Sequence, residues 1–213
     1  MQEEGIVKQI LEMPTAPSVL DGLSKALKEE HRKREAFYHQ ITDQEKAEFI
    51  NGEIIIHSPV KKEHNEANKL IGRLIDVYVD KRNLGFVGFE KIMISLTRND
   101  YEPDLCFFNK KKSKNFRKGQ SSFPAPDLVI EILSKQTEAR DRGIKFEDYQ
   151  NHQIEEYWII DPKEEVVEQY HLEKGKYELK LKSGNGQIAS YVIEGFAIPV
   201  RAIFDKKENL KTL

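Results

Sequence analysis

Asp104 and Glu131 are acids inside stretches that otherwise read as buried strands. The stretches are Tyr101-Glu102-Pro103-Asp104-Leu105-Cys106-Phe107-Phe108 and Pro126-Asp127-Leu128-Val129-Ile130-Glu131-Ile132-Leu133-Ser134. An ionised carboxylate in a core costs several kcal/mol unless it is paired or binds a metal. Strand side chains alternate, so Val129, Glu131 and Leu133 share one face. Further on, Asp141, Lys145 and Tyr149 stand at i, i+4 and i+8, one stripe of a helix with about 6 Å per step. If that helix folds back on the strand, Lys145 approaches Glu131.

Two acids and a lysine beside a sheet are the groups that metal-dependent phosphodiester hydrolysis needs. Asp104, Glu131 and a carbonyl such as that of Ile132 offer hard oxygen ligands for magnesium or manganese. Such a cation polarises the phosphate and acidifies a water. Lys145 would hold that water or meet the charge on the pentacovalent phosphorus. The same residues admit plainer arrangements. Asp104 could cap a turn or pair with Arg98, Glu131 and Lys145 could form a structural ion pair, and Asp141 with Lys145 is an ordinary helix pair.

The elements that must position these residues follow from periodicity and turn chemistry. Ser18 is a plausible N-cap for a helix to about residue 40, with Val19, Leu20, Leu23, Ala26 and Leu27 as its apolar stripe. Asn51-Gly52 between Ala47–Ile50 and Glu53–Ile56 predicts a type I′ hairpin. Residues 61 to 82 read as a helix with Ala67, Leu70, Ile71, Leu74, Ile75 and Tyr78 inward. Strands are expected at 85–90, 92–96 and 101–108. A buried strand at 126–133 follows, then a helix from Glu138 to Gln150 capped by Thr137. A strand at 156–160 and an antiparallel pair at 166–171 and 177–181 complete the order, and the charged tail from Asp205 is expected to fray. This order fits a mixed sheet flanked by helices.

The chain has 213 residues, 38% of them hydrophobic and 33% charged, room for one large domain or a domain with an appendage. No apolar run approaches the ~20 residues of a membrane span, and Met1 to Gly5 lacks an apolar signal core. A cytoplasmic protein with no membrane partner is therefore expected. Cys106 is the only cysteine, which excludes an internal disulfide and a cysteine-based zinc site. A protein that coats nucleic acid is usually more basic, so a formal net charge of −2 gives no support for tight non-specific binding. The charge is uneven, however. Lys110, Lys111, Lys112, Lys114, Arg117 and Lys118 gather in a polar stretch from Asn109 to about Ala125. It reads as a mobile loop anchored beside the two acids, able to meet phosphates or simply to be solvated.

In these residues the chain resembles the PD-(D/E)XK nuclease superfamily, and more closely the bacterial Uma family of restriction-endonuclease-like proteins. The resemblance covers about residues 43 to 172. It runs through Asn51-Gly52-Glu53, Ser58-Pro59, His64, Pro103-Asp104, Asp127 to Ser134, then Asp141, Lys145 and Tyr149, and Glu156-Tyr157-Trp158-Ile159-Ile160-Asp161-Pro162. It implies a restriction-endonuclease-like fold of the α/β (α+β) class, a mixed β-sheet flanked by helices, with extra β-hairpins and an N-terminal helix. The implied organisation is a helical extension (1–42), the nuclease-like domain (43–204) and a charged tail (205–213).

By resemblance Asp104 matches the acid of the PD motif and Glu131 the (D/E) position. The lysine should stand two residues later, where this chain has Leu133. In this family it is displaced to the following helix, which makes Lys145 the match, with Lys135 the nearer runner-up. Glu53 and His64 match family positions and, with Asp141 and Tyr149, are expected to support the site. The resemblance implies a magnesium- or manganese-dependent endonuclease acting on DNA. The alternatives are an inactive relative that binds nucleic acid or a protein, and an enzyme for another phosphorylated substrate. A homodimer is attractive, because cutting both strands of a duplex needs two active sites.

Overall fold

The computed structural model describes residues 2–42 and 45–213. Helices α1 (Gln2–Leu11) and α2 (Ala16–Gln40) come first, then the hairpin strands β1 (Ala47–Ile50) and β2 (Glu53–Ile56) and helix α3 (Lys62–Arg82). Strands β3 (Gly85–Phe89), β4 (Met93–Ser95), β5 (Asp100–Tyr101) and β6 (Leu105–Asn109) follow, then the short helix α4 (Lys110–Ser113), β7 (Ser122–Phe123) and β8 (Leu128–Ile132). Helices α5 (Glu138–Asp141) and α6 (Ile144–Asn151) lead to β9 (Glu156–Asp161), β10 (Val166–Glu173) and β11 (Lys176–Ser183). Strands β12 (Gln187–Ala189) and β13 (Ala197–Pro199), a 3-10 turn (Val200–Ile203) and helix α7 (Lys206–Thr212) close the chain.

The main sheet has the order β11-β10-β9-β8-β6-β3 and is mixed, with β8 and β9 parallel and the other pairs antiparallel. A second sheet has the order β2-β1-β5-β4-β7. Alternation sorts the main sheet's side chains into two cores. Leu105, Phe107, Leu128, Ile130, Ile132, Trp158 and Ile160 pack with Ile71, Leu74 and Ile75 of α3 and with Ile198 and Ile203 near the C-terminus. Cys106, Phe108, Val129, Tyr157 and Ile159 face the other way, onto Tyr149 of α6 and onto Ile50, Ile94 and Tyr101 of the second sheet. The apolar positions of α3 recur every three or four residues, as a one-faced helix requires. Asn83, with φ 53°, ends it in the left-handed conformation.

The hairpin forms as its sequence predicts: Asn51 and Gly52 take φ of 50° and 84°, and Ile50 pairs with Glu53 across the turn. Five expectations need correction. Helix α2 starts at Ala16 with Thr15 in the N-cap position, so Ser18 lies inside the helix rather than capping it. Residues 101–108 are not one strand. Pro103 has no donor for the ladder, and the chain changes sheets there: β5 pairs with β1 and β4, β6 with β3 and β8. The helix at 138–150 is two pieces that meet at Gly143.

The stretch 109–125 is not a free loop. Asn109 caps α4, β7 joins β4, and Phe116 and Phe123 pack edge-on to each other and against Phe86 and Phe108. The tail is not frayed either. Asp205 caps α7, and the buried Asn209 side chain donates to the carbonyls of Leu70 and Ala202, both at 2.8 Å. Helix α1 had no counterpart in the sequence reading. The end of α2 belongs to the second sheet: Arg34 donates to both oxygens of Asp100 at 2.7 and 2.8 Å, and Phe37 is buried against Phe49.

Candidate active site

Strand pairing sets Asp104 against Glu131. β6 runs antiparallel to β8 with Leu105 opposite Ile130. The same register one step further faces Asp104 towards Glu131, where Cβ atoms of cross-strand neighbours lie about 4.5–5.5 Å apart. Both acids are buried, and the Ile132 N–H, next to Glu131, donates to Asp104 Oδ2 at 2.9 Å. Lys46 Nζ lies 2.9 Å from Asp104 Oδ1, and His64 Nε2, from the first turn of α3, lies 3.2 Å from Oδ2.

Glu131 Oε1 accepts from Lys145 Nζ at 3.0 Å and from Tyr149 OH at 2.8 Å, both on α6. The same ammonium is 2.9 Å from Glu48 Oε1 and 3.4 Å from Asp141 Oδ1. Glu48 is further held by His57 at 2.9 Å and by the Glu102 N–H at 3.0 Å, while the Glu102 carboxylate accepts the Ala47 N–H at 3.0 Å. Asp104, Glu131, Lys145, Asp141, Tyr149 and His64 thus come together.

Other expected residues lie elsewhere. Glu53 is exposed at the turn end of the hairpin. Arg98 binds Glu30, at 2.6 Å, rather than Asp104. Lys135 is exposed. The basic stretch leaves β6 at Asn109, the end away from Asp104, and rejoins β8 at the end away from Glu131. At about 3.3 Å per residue its anchors lie about 16 Å from the acids, contrary to the expectation that they sit beside them. Lys112 is committed to Asp127, at 3.0 Å, and to the Ala125 carbonyl, at 2.9 Å, whereas Lys110, Lys111, Lys114, Arg117 and Lys118 are exposed.

Sequence reasoning missed Lys46, Glu48, Glu102 and His57. Glu48 carries the signal used for Glu131, an acid inside an apolar run, Ala47-Glu48-Phe49-Ile50, all of it buried. Lys46 gives no such signal.

Burial competes with pairing throughout the cluster. Burial, only partly opposed by Lys145 and reinforced by Asp141, Asp104 and Glu48, pushes the Glu131 carboxyl up to about 8. Asp141 is likewise raised by burial against the pull of Lys145. At Asp104 burial is outweighed by the His64 hydrogen bond, the charges of Lys46 and His64 and the Ile132 N–H, so its carboxyl lies below the usual range. At Glu48 burial loses to Lys145 and His57, and the carboxyl falls to about 2. Lys145 is held well above its usual value by Glu131, Glu48 and Asp141 despite its burial.

Four buried acids, Glu48, Asp104, Glu131 and Asp141, thus surround two ammonium groups, Lys46 and Lys145. Both Asp141 oxygens and His64 Nδ1 are buried without a hydrogen-bond partner. A ring nitrogen of His64 and carboxylate oxygens of Glu90 and Asp104 also lie within 4.8 Å of one another. An acid-rich set short of positive charge fits a divalent cation.

Residues 34–201 match the family model Uma2, described as "Putative restriction endonuclease". The chain belongs to the Uma2 family. Two curated relatives from Synechocystis, both described as uncharacterized, are similar to this Uma2 chain. One is 30% identical over 132 residues, 60% of this chain and 66% of the relative. The other is 29% identical over 119 residues, 55% and 67% respectively. A crystal structure described as a putative nuclease from Anabaena variabilis superposes with a TM-score of 0.68 at 19% identity, covering 79% of this chain and 94% of that one. At that identity the likeness shows the restriction-endonuclease-like fold of the Uma2 chain. No helix among the described residues is long and apolar enough to cross a membrane.

Proposed function

We propose that this protein is a metal-dependent endonuclease that hydrolyses phosphodiester bonds in DNA. The observation that carries the reading is the convergence of Asp104 and Glu131, from two paired strands, into one buried cluster with Lys145 and Lys46. Asp104 and Glu131 would hold magnesium or manganese, which when bound acidifies a water and polarises the phosphate.

The chain's own residues divide the remaining work. Tyr149 and Lys145 fix the Glu131 carboxylate, and the Ile132 N–H and His64 fix that of Asp104. Lys145, its side chain only 2% exposed and ringed by three acids, acts by orienting Glu131. Lys46, at 16% exposure, is the ammonium better placed to meet a phosphate oxygen from solvent. The exposed cations of residues 110–118 would contact the duplex backbone at a distance from the reacting bond.

Nicking of supercoiled plasmid with added Mg2+ or Mn2+ tests the reading. Wild type should cut, and Asp104→Asn and Glu131→Gln should not. Equal cutting by all three would refute it. The saturation of Lys145 by three carboxylates favours a second reading, in which the cluster is structural and the family scaffold binds DNA without cutting. Calorimetry separates the two, since a purely structural cluster has no affinity for Mn2+.

A further inference from the structure

We infer that the cavity sharing its wall with the acid centre receives one unpaired nucleobase, and that Glu102 selects a base carrying an exocyclic amine. The inference rests on the proposed nuclease function and names the substrate class of that same site: DNA with a nucleotide out of the duplex beside the bond to be cut.

Three chain segments divide their residues between the centre and this cavity. Lys46 pairs with Asp104, while Glu45 lines the cavity. Glu90 brings an oxygen within 4.8 Å of one on Asp104, while Lys91 lines the cavity. Asp104 belongs to the centre, and Glu102, two residues earlier, to the cavity. One or two residues of chain, at most ~3.6 Å each, thus separate the cavity's lining from the reacting groups. A sugar and its phosphate span that distance.

The lining suits a base better than a phosphate. The volume is about 420 Å³, within the roughly 300–1,000 Å³ of small-molecule sites and too small for a duplex. Tyr38, Ile41 and Met93 supply aromatic and apolar surface. Among the described residues, two carboxylates, Glu45 and Glu102, stand in the lining against one lysine, Lys91. Glu102 is buried, and its Oε2 accepts the Ala47 N–H at 3.0 Å, which leaves Oε1 to accept from a ligand. A carboxylate accepts from an amine such as cytosine N4 and has no hydrogen to offer the O4 of thymine. Bases stacked in a duplex do not enter such a cavity, so the nucleotide must be single-stranded or flipped out.

The test uses full-length protein carrying 13C-methyl methionine, at pH 8 to favour an ionised Glu102, whose carboxyl burial raises. The Met93 methyl, identified by Met93→Leu, reports on the cavity, and Met13, outside the lining, is the control. Deoxycytidine and deoxyadenosine should shift the Met93 signal with at least about fivefold higher affinity than thymidine. Glu102→Gln keeps an oxygen for Ala47 and turns amide N–H groups to the cavity, so its preference should reverse towards thymidine. Ser121→Trp, at an exposed position in the lining, should block all three nucleosides and leave Mn2+ affinity intact. No Met93 shift, equal affinities for the three nucleosides, or an unchanged preference in Glu102→Gln overturns the inference. Duplexes with one bulged cytosine, one bulged thymine or full pairing, incubated with Mn2+, separate it from the proposed function. Preferred cutting beside the bulged cytosine supports both. Equal cutting of all three refutes the inference and leaves the function standing. The expected nucleoside shifts with no cutting of any duplex leave the base site standing and refute the hydrolytic reading.

Discussion

Glu131 and Glu48 share one lysine and burial raises both, yet pairing wins only at Glu48, so their net shifts run in opposite directions and stability against pH should show it. Glu131 in the folded protein keeps its proton to about 8, against an ordinary 4.5. Between those values the native state binds more protons than the unfolded chain, so stability falls as pH rises through that window. Glu131→Gln should flatten the slope and leave the protein more stable than wild type at pH 9, by on the order of 1–3 kcal/mol. Urea midpoints at pH 5, 7 and 9 would show this, and parallel curves for the two proteins would contradict it. Glu48, depressed to about 2, gives the opposite limb. Its contribution is complete above about 4.5 and is lost as pH falls through about 2, so Glu48→Gln should remove part of the acid sensitivity. Lys145→Met strands three carboxylates in the core and should cost about 3–5 kcal/mol in the same urea assay.

Elements show which parts of this design sequence alone could reveal. The hairpin, α3 and β8 were legible because their causes are local: a turn that needs positive φ, an apolar stripe every three or four residues, an unbroken apolar run. Asp104, Glu131 and Lys145 stood out because a charge in an apolar setting needs a reason. The break at Pro103 was half legible. A proline marks a strand entry, and β6 does begin just after it. But Tyr101 and Leu105 to Phe108 are equally apolar on either side, so nothing announced a change of sheet. Nor was the role of Lys46 and Glu48 legible, since it depends on how the hairpin docks far along the chain. Helix α7 looked like a frayed end because its hold on α3 runs through one amide rather than through hydrophobic residues. Asn209→Ala would remove the side-chain donor to the Leu70 and Ala202 carbonyls and the acceptor of Arg73. It should cost about 1–3 kcal/mol, and hydrogen exchange along α3 and α7 should rise together. Exchange unchanged in α3 would show that the clasp does not hold it.

At the scale of the whole molecule, the buried acids of the centre, with Lys46 and Lys145 among them, lie at one end of β6 and β8 and the exposed basic stretch at the other. If that stretch meets a duplex, neutralising Lys110, Lys111, Lys114, Arg117 and Lys118 should lower DNA affinity and flatten its dependence on salt, because fewer counterions are released. Mn2+ affinity should not change. Adding Lys112 to the set would confuse the result, because it also breaks the pair with Asp127. Identical salt slopes would remove the basic stretch from any interface. The pairing of Lys46 with Asp104 spans 58 positions, and this distance has a kinetic meaning. Contacts so far apart in sequence carry a large loop-closure cost, so they form late in folding. The chain should reach a compact, hydrogen-bonded state before its acids acquire their partners. Lys46→Met should then speed unfolding while leaving the refolding rate nearly as it was, and a newly collapsed molecule would pass through an interval with its scaffold in place and its chemistry not yet assembled.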